Sequence, residues 1–260
     1  MPVVFIGHGN PMYAIEPNRY AEAWVTLAAE LPRPTAVLAV SAHWYVAGTA
    51  VTSMERPRTI HDFGGFPDEL FRVSYPAPGS PTLADRVRTL ADASGVLEEP
   101  AAADTGWGLD HGTWAVLRHM YPAADVPVVQ LSIDWRRPGP FHHRLGAALA
   151  PLRDEGVLIL ASGNVVHNLG AVRFGDGAAP FAWAERFEAE VRRCLLSGEG
   201  EALVDPSSFG PDARRSVPTP DHYLPLLYAL GAAGSSDPVR VVTSGIDAAS
   251  ISMLSVAFGG

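Results

Sequence analysis

A chain of 260 residues that is 47% hydrophobic and 18% charged is long enough to bury a sizeable core and too apolar to be mainly disordered. With 28 acidic against 19 basic residues the net charge is −9, and no basic run supplies the counterion-releasing stripe that a nucleic-acid partner needs. Every basic residue is arginine, which excludes a lysine Schiff base and a standard P-loop, and the single Cys194 makes neither an internal disulfide nor a multi-thiolate metal site.

The chain opens on MPVVFIGHGNP, an apolar run too short for a signal peptide and with no basic region before it. No segment reaches the roughly 18 consecutive apolar residues of a membrane span, so a cytoplasmic protein without a membrane partner is expected. In chain order the pattern predicts a strand over Val3–Gly7, a helix over Tyr20–Leu31, a strand over Ala36–Ser41, and helices over Pro81–Ala93 and Trp114–Met120. There follow a strand over Val126–Ser132, a helix over His142–Asp154 and a strand over Val157–Ser162. Helices over Phe181–Leu196 and Asp221–Gly231 and a strand over Val239–Thr243 complete the chain. Apolar, β-branched strands alternating with helices predict an α/β fold with a mainly parallel central sheet and helices on both faces. No shift in composition marks a boundary, so 1–260 is expected to be one domain.

The nine histidines carry the functional information. His8 follows VVFIG, His43 follows AVLAVSA and His167 follows VLILASGNVV, so three imidazoles sit at or beyond the ends of apolar strands. Ligands of open parallel sheets bind outside the carboxyl ends of the strands, and neutral imidazole is the commonest metal ligand. A metal site on that rim is therefore expected. Thr219-Pro220-Asp221 reads as a helix start, with Thr as N-cap, which puts His222 in the first turn of an apolar helix. His61 and His111 lie in the loops TIHDFGGFP and GWGLDHGTW, whose large apolar groups suit a pocket wall. His119, His142 and His143 read as structural. GHGNPM half-matches a dinucleotide fingerprint but lacks the third glycine, and the chain contains no H-E-x-x-H, G-x-S-x-G or C-x-x-C.

The segments FIGHGNPM, LAVSAHWY, TIHDFGGFPDELF, YPAPG, GLDHGTWAVLRHMYP, VPVVQLSI, LILASGNVVHNL and PTPDHYLPLLYALGAA together cover nearly the whole chain. In that order they resemble the class III extradiol ring-cleavage dioxygenases (LigB-like), and within them the 4,5-DOPA extradiol branch. The resemblance implies a non-haem metal, normally Fe(II). His8 and His43 match two ligands, and His222 matches the third, a carboxylate in the protocatechuate enzymes. It implies that His167 is the acid/base histidine, which also approaches the metal in substrate-free forms, and that His111 either contacts substrate or supports the groups around the metal. The implied reaction inserts O2 into a small catechol, L-DOPA-like, and opens the ring to a muconic semialdehyde. Three imidazoles carry less negative charge than the usual two-His, one-carboxylate set, so Zn(II) is expected to compete in isolated protein. Asn10 stands where relatives commonly have serine, and SMLSVAFGG lacks an arginine that relatives often carry near the end.

The loops offer Trp44, Phe63, Phe66, Trp107 and Trp114 as aromatic walls for one ring, with His61 beside them. Without lysine, a substrate carboxylate would meet arginine, histidine or backbone N–H. Two other functions fit the same histidines: a zinc hydrolase, and a non-catalytic metal-binding or interaction protein. The sequence leaves the oligomeric state open, a homo-oligomer included.

Overall fold

The run VVFIG has no polar side, and a strand with no polar side must be covered on both faces. That is where the chain begins: β1 (Val3–Gly7) is buried along its whole length. The computed structural model describes residues 1–173, 175 and 178–259. After β1 come α1 (Arg19–Glu30), β2 (Ala36–Val46), β3 (Ala50–Thr52), α2 (Asp68–Phe71), α3 (Pro81–Ala93) and β4 (Ala102–Asp104). The middle of the chain forms α4 (His111–Met120), β5 (Val128–Asp134), α5 (Gly139–Leu149), β6 (Val157–Gly163), α6 (Ala182–Leu196), α7 (Pro211–Ser216) and α8 (Leu224–Ala232). It ends with β7 (Val239–Thr243), β8 (Ile246–Asp247), β9 (Ile251–Ser252) and β10 (Ser255–Phe258).

Eight strands form one sheet in the order β4-β3-β5-β2-β6-β1-β10-β7, and β8 and β9 pair separately. The central β5, β2, β6 and β1 pair in parallel, while β3 and β10 join them antiparallel on either side. Alternate side chains divide the core in two. Val3, Phe5, Leu38, Val129 and Ile159 pack in one cluster with Leu83, Leu145, Phe187 and Leu227 of α3, α5, α6 and α8. Val4, Ile6, Val37, Val128 and Leu158 pack in the other with Trp24 of α1 and Trp114 of α4. The sheet is therefore mainly parallel and covered by helices on both faces. No helix among the described residues is long and apolar enough to cross a membrane.

Local chemistry explains where elements depart from the pattern. Helix α3 begins at Pro81, as expected, and Ser80 caps it by accepting a hydrogen bond from Leu83 N. Helix α4 starts at His111 rather than Trp114, because Asp110 caps it by accepting from Thr113 N at 3.2 Å. Strand β5 starts at Val128 rather than Val126, since Pro127 has no N–H for the ladder. The helix expected over His142–Asp154 is α5 followed by a 3-10 turn over Ala150–Arg153, because Pro151 cannot continue the α ladder. Nor is Thr219 the cap of α8. Pro225 cannot donate to the Asp221 carbonyl, so it is tolerated only in the first turn, and the helix begins at Leu224. His222 thus sits in the turn before α8. The short strands β3, β4, β8, β9 and β10 were not expected from the pattern.

Candidate metal centre

Three adjacent strands converge on the site. Strand β6 lies between β1 and β2, with Ser162 level with Ile6 on one side and Ser41 on the other. His8 follows the last residue of β1. His43 lies inside β2, which continues past the expected end at Ser41, and the pairing register with β5 shifts between Val40 and Tyr45. His222 reaches the same rim over β6, where the Asn164 N–H donates to its carbonyl at 2.8 Å. Gly163 makes this approach feasible, since a Cβ there would collide with the His222 carbonyl. Gly112, at the start of α4, is close-packed in the same way on Ser41 and His43.

One ring nitrogen of each of His8, His43 and His222 lies within 4.8 Å of the others. Their second nitrogens are all engaged. His8 Nδ1 is 3.0 Å from Ser162 Oγ, and that hydroxyl donates its only proton to the Gly112 carbonyl. Ser162 can then only accept from His8 Nδ1–H, which leaves Nε2 with its lone pair. His43 Nδ1 is 3.1 Å from Asp62 Oδ2, and His222 Nδ1 bonds the Asp221 carboxylate. His8 Nε2 and His43 Nε2 face each other at 3.2 Å, a distance that needs a proton or a cation between two lone pairs. Three oriented imidazoles, each held through Nδ1 by an oxygen acceptor, are the donor set of a divalent metal site. The residues therefore fit the metal implied for such a rim.

Electrostatics keep most of these rings neutral. Burial, then the neighbouring imidazoles, hold His8 well below its ordinary pKa. Burial brings His222 down to about 4 against the pull of Asp221. It also brings His167, beside His222, to about 2. His111 is lowered by burial and by His43, against Asp62. His43 moves the other way: burial works to lower it, but Asp62, Asp110 and Asp221 outweigh burial. For Asp62, burial favours the acid form, yet hydrogen bonds from His111 and His43 hold it well below the carboxylate range.

His8, His43, His111, His167 and His222 all line one cavity of about 310 Å³. His111 Nδ1 and its backbone N–H both donate to Asp62, at 2.9 Å each. His167 is outside the His8–His43–His222 group and clusters instead with Asp221 and His222. Phe63 and Phe66 form apolar wall, and Phe63 meets His111 edge-on. The other expected substrate contacts lie elsewhere. His61 bonds the Val73 carbonyl through Nε2 at 3.0 Å, Trp44 and Trp107 stack on each other with planes 5° apart, and Trp114 donates to the Ile60 carbonyl within the core. None of these four is among the cavity's lining residues. Sequence reading missed Asp62, Ser162 and Asp247. The signal for Asp62 was its position directly after His61, an acid in a pocket loop.

The chain matches, over residues 3–259, the family described as the catalytic LigB subunit of aromatic ring-opening dioxygenase. It is 49% identical over 263 residues to a 4,5-DOPA dioxygenase extradiol of Escherichia coli (strain K12), covering 100% of this chain and 95% of the relative. A 4,5-DOPA dioxygenase extradiol of Beta vulgaris is 39% identical over 248 residues, covering 94% and 91%. The crystal structure of an uncharacterized protein from Escherichia coli K12 superposes with a TM-score of 0.85 at 44% identity, covering 100% of both chains.

Proposed function

The chain belongs to the LigB family of aromatic ring-opening dioxygenases and is an extradiol enzyme, and on that premise we propose that it opens a small single-ring catechol to a muconic semialdehyde with Fe(II) held by His8, His43 and His222. The observation that carries this reading is the trio itself, three imidazoles with Nδ1 engaged by Ser162, Asp62 and Asp221 and their other nitrogens gathered on one point. Fe(II) supplies, when bound, Lewis acidity toward the catechol hydroxyls and a one-electron path to O2.

The protein's residues do the rest. Ring opening needs a group that takes a catechol proton and later returns it. His167 suits this role: among the described residues it is the cavity histidine whose ring nitrogens have no protein hydrogen-bond partner. Burial and His222 keep its ring neutral, so it offers a lone pair to a catechol hydroxyl, and Asp221, close by, offsets the charge once the proton is taken. His111, its Nδ1 proton fixed on Asp62, is the second polar contact to substrate. Phe63 and Phe66 hold the ring by apolar contact, and their walls keep bulk water from it. Residues 1–260 act here as one catalytic domain, with the catechol and O2 as the only small partners required.

Adding 4-methylcatechol to anaerobically Fe(II)-loaded protein and then admitting air tests this. A yellow product with an absorbance that moves with pH supports ring opening. A colourless mixture with intact catechol overturns it.

A further inference from the structure

The cavity contains a second carboxylate in a different situation from Asp62. Asp62 is committed to His43 and His111. Asp247 lines the same cavity, and its one protein hydrogen bond from a side chain is the Tyr13 hydroxyl donating to Oδ2. Burial and the carboxylate itself raise the Tyr13 pKa far above its ordinary value, so the phenol contributes a proton donor and no charge. Among the described residues, Asp247 forms an ion pair with no arginine or histidine, and the cavity lining contains no arginine. Arg19, on the same side of the mouth near Gly245, is turned onto the Tyr20 ring at 4.8 Å and donates to the Tyr20 hydroxyl at 2.9 Å.

The backbone holds this carboxylate in place. Asp247 pairs with Ile251 in the β8–β9 hairpin, whose turn carries Ala248 and Ala249 at φ 45° and 67°. Left-handed conformations are unfavourable for residues with a Cβ and persist only where the surroundings impose them. Here buried Glu188 ties both ends of the hairpin, accepting from Gly245 N at 2.7 Å and from the Ser252 hydroxyl at 2.6 Å. Asp247 is thus a preorganised carboxylate lining the cavity, and the nearby Arg19, whose guanidinium feels its charge, is held on Tyr20 and makes no ion pair with it.

We propose that Asp247 determines specificity by receiving the alkylammonium group of a catechol's side chain. The inference rests on the ring-opening reading for the catechol part only. It departs from the expectation that arginine, histidine or backbone N–H anchors a side-chain carboxylate: a catechol amino acid would be anchored by its amine instead.

The test is anaerobic calorimetry on Fe(II)-loaded protein with dopamine, 4-methylcatechol and 3,4-dihydroxyphenylpropionate, followed by admission of air. The wild type should bind dopamine roughly 10–100-fold more tightly than 4-methylcatechol, the range of a charge-assisted hydrogen bond, and the propionate more weakly than either. In Asp247→Asn the dopamine to 4-methylcatechol ratio should fall toward one. Asp247→Glu, which keeps the charge, should restore most of it. Equal affinities in the wild type, a ratio unchanged in Asp247→Asn, or a Glu variant no better than Asn would each overturn the proposal. If the wild type opens none of the three rings in air, the ring-opening reading fails while the affinities still decide the anchor.

Discussion

His167 lies face to face on His222, with ring centroids 3.4 Å apart and planes within 6° of parallel. The stack holds His167 beside His222, one of the three proposed ligands. His167→Phe keeps a flat ring on that face and removes both nitrogens. The variant should bind metal and catechol, with kcat lower by roughly 10²–10⁴-fold for loss of a general acid/base. Single-turnover rates with metal analysis of the same sample check this. Near-normal turnover would remove the acid/base role, and loss of the metal would make His167 a ligand.

Asp62 sets the orientation of two histidines at once, through His43 Nδ1 and His111 Nδ1. Asp62→Asn retains the shape and loses the charge, and should weaken metal affinity by roughly 10–100-fold, as for other groups that orient metal-binding imidazoles. Alanine at His8, His43 or His222 should remove most of the metal. Equilibrium dialysis against Fe(II) reads both effects. Full stoichiometric metal in each alanine variant would show that the ligands are elsewhere.

His142 lies outside the site and gives a pH test of the core. It is fully buried, accepts from the Tyr228 hydroxyl at Nδ1, and donates from Nε2 to the Arg137 carbonyl. Burial lowers its pKa from 6.5 to about 4. Between those values the unfolded chain binds more protons than the folded one. The contribution to stability is therefore complete above about pH 6.5 and is lost as the pH falls toward 4, by roughly 3 kcal/mol over the window. Buried His8 and His222 and half-buried His167 act in the same direction, so the measurement is a difference. Urea unfolding of wild type and His142→Gln at pH 7 and pH 5 should show a shallower pH dependence in the variant. Equal slopes would mean that His142 is not buried in its neutral form.

The parallel core was legible because its strands have no polar side: VVFIG and VLILASG announce burial on both faces without any knowledge of their neighbours. Helix α3 was legible over its predicted range Pro81–Ala93. His8 and His43 could be placed near one rim because strand ends are local signals, whereas His222 was read into the first turn of a helix that begins only at Leu224. The three Nδ1 acceptors were harder. Asp221 is a sequence neighbour of His222, but Ser162 and Asp62 reach their histidines across 154 and 19 positions of chain, and only the sheet order puts β6 between β1 and β2. Trp44 and Trp107 misled because their size suits a catechol wall equally well as a stack on each other. Asp247 had no signal, since a hairpin turn made of two alanines in the left-handed region runs against local preference.

On the proposed reading, the histidine trio supports insertion of O2 into a catechol ring. Oxygen uptake measured beside catechol loss, with peroxide assayed in the same vessel, tests it most directly. Fe(II)-loaded protein with 4-methylcatechol should consume one dioxygen for each catechol and release no peroxide, and the His222→Ala variant should consume neither dioxygen nor catechol. Catechol loss with stoichiometric peroxide, or no oxygen uptake by the fully loaded wild type, would contradict the account.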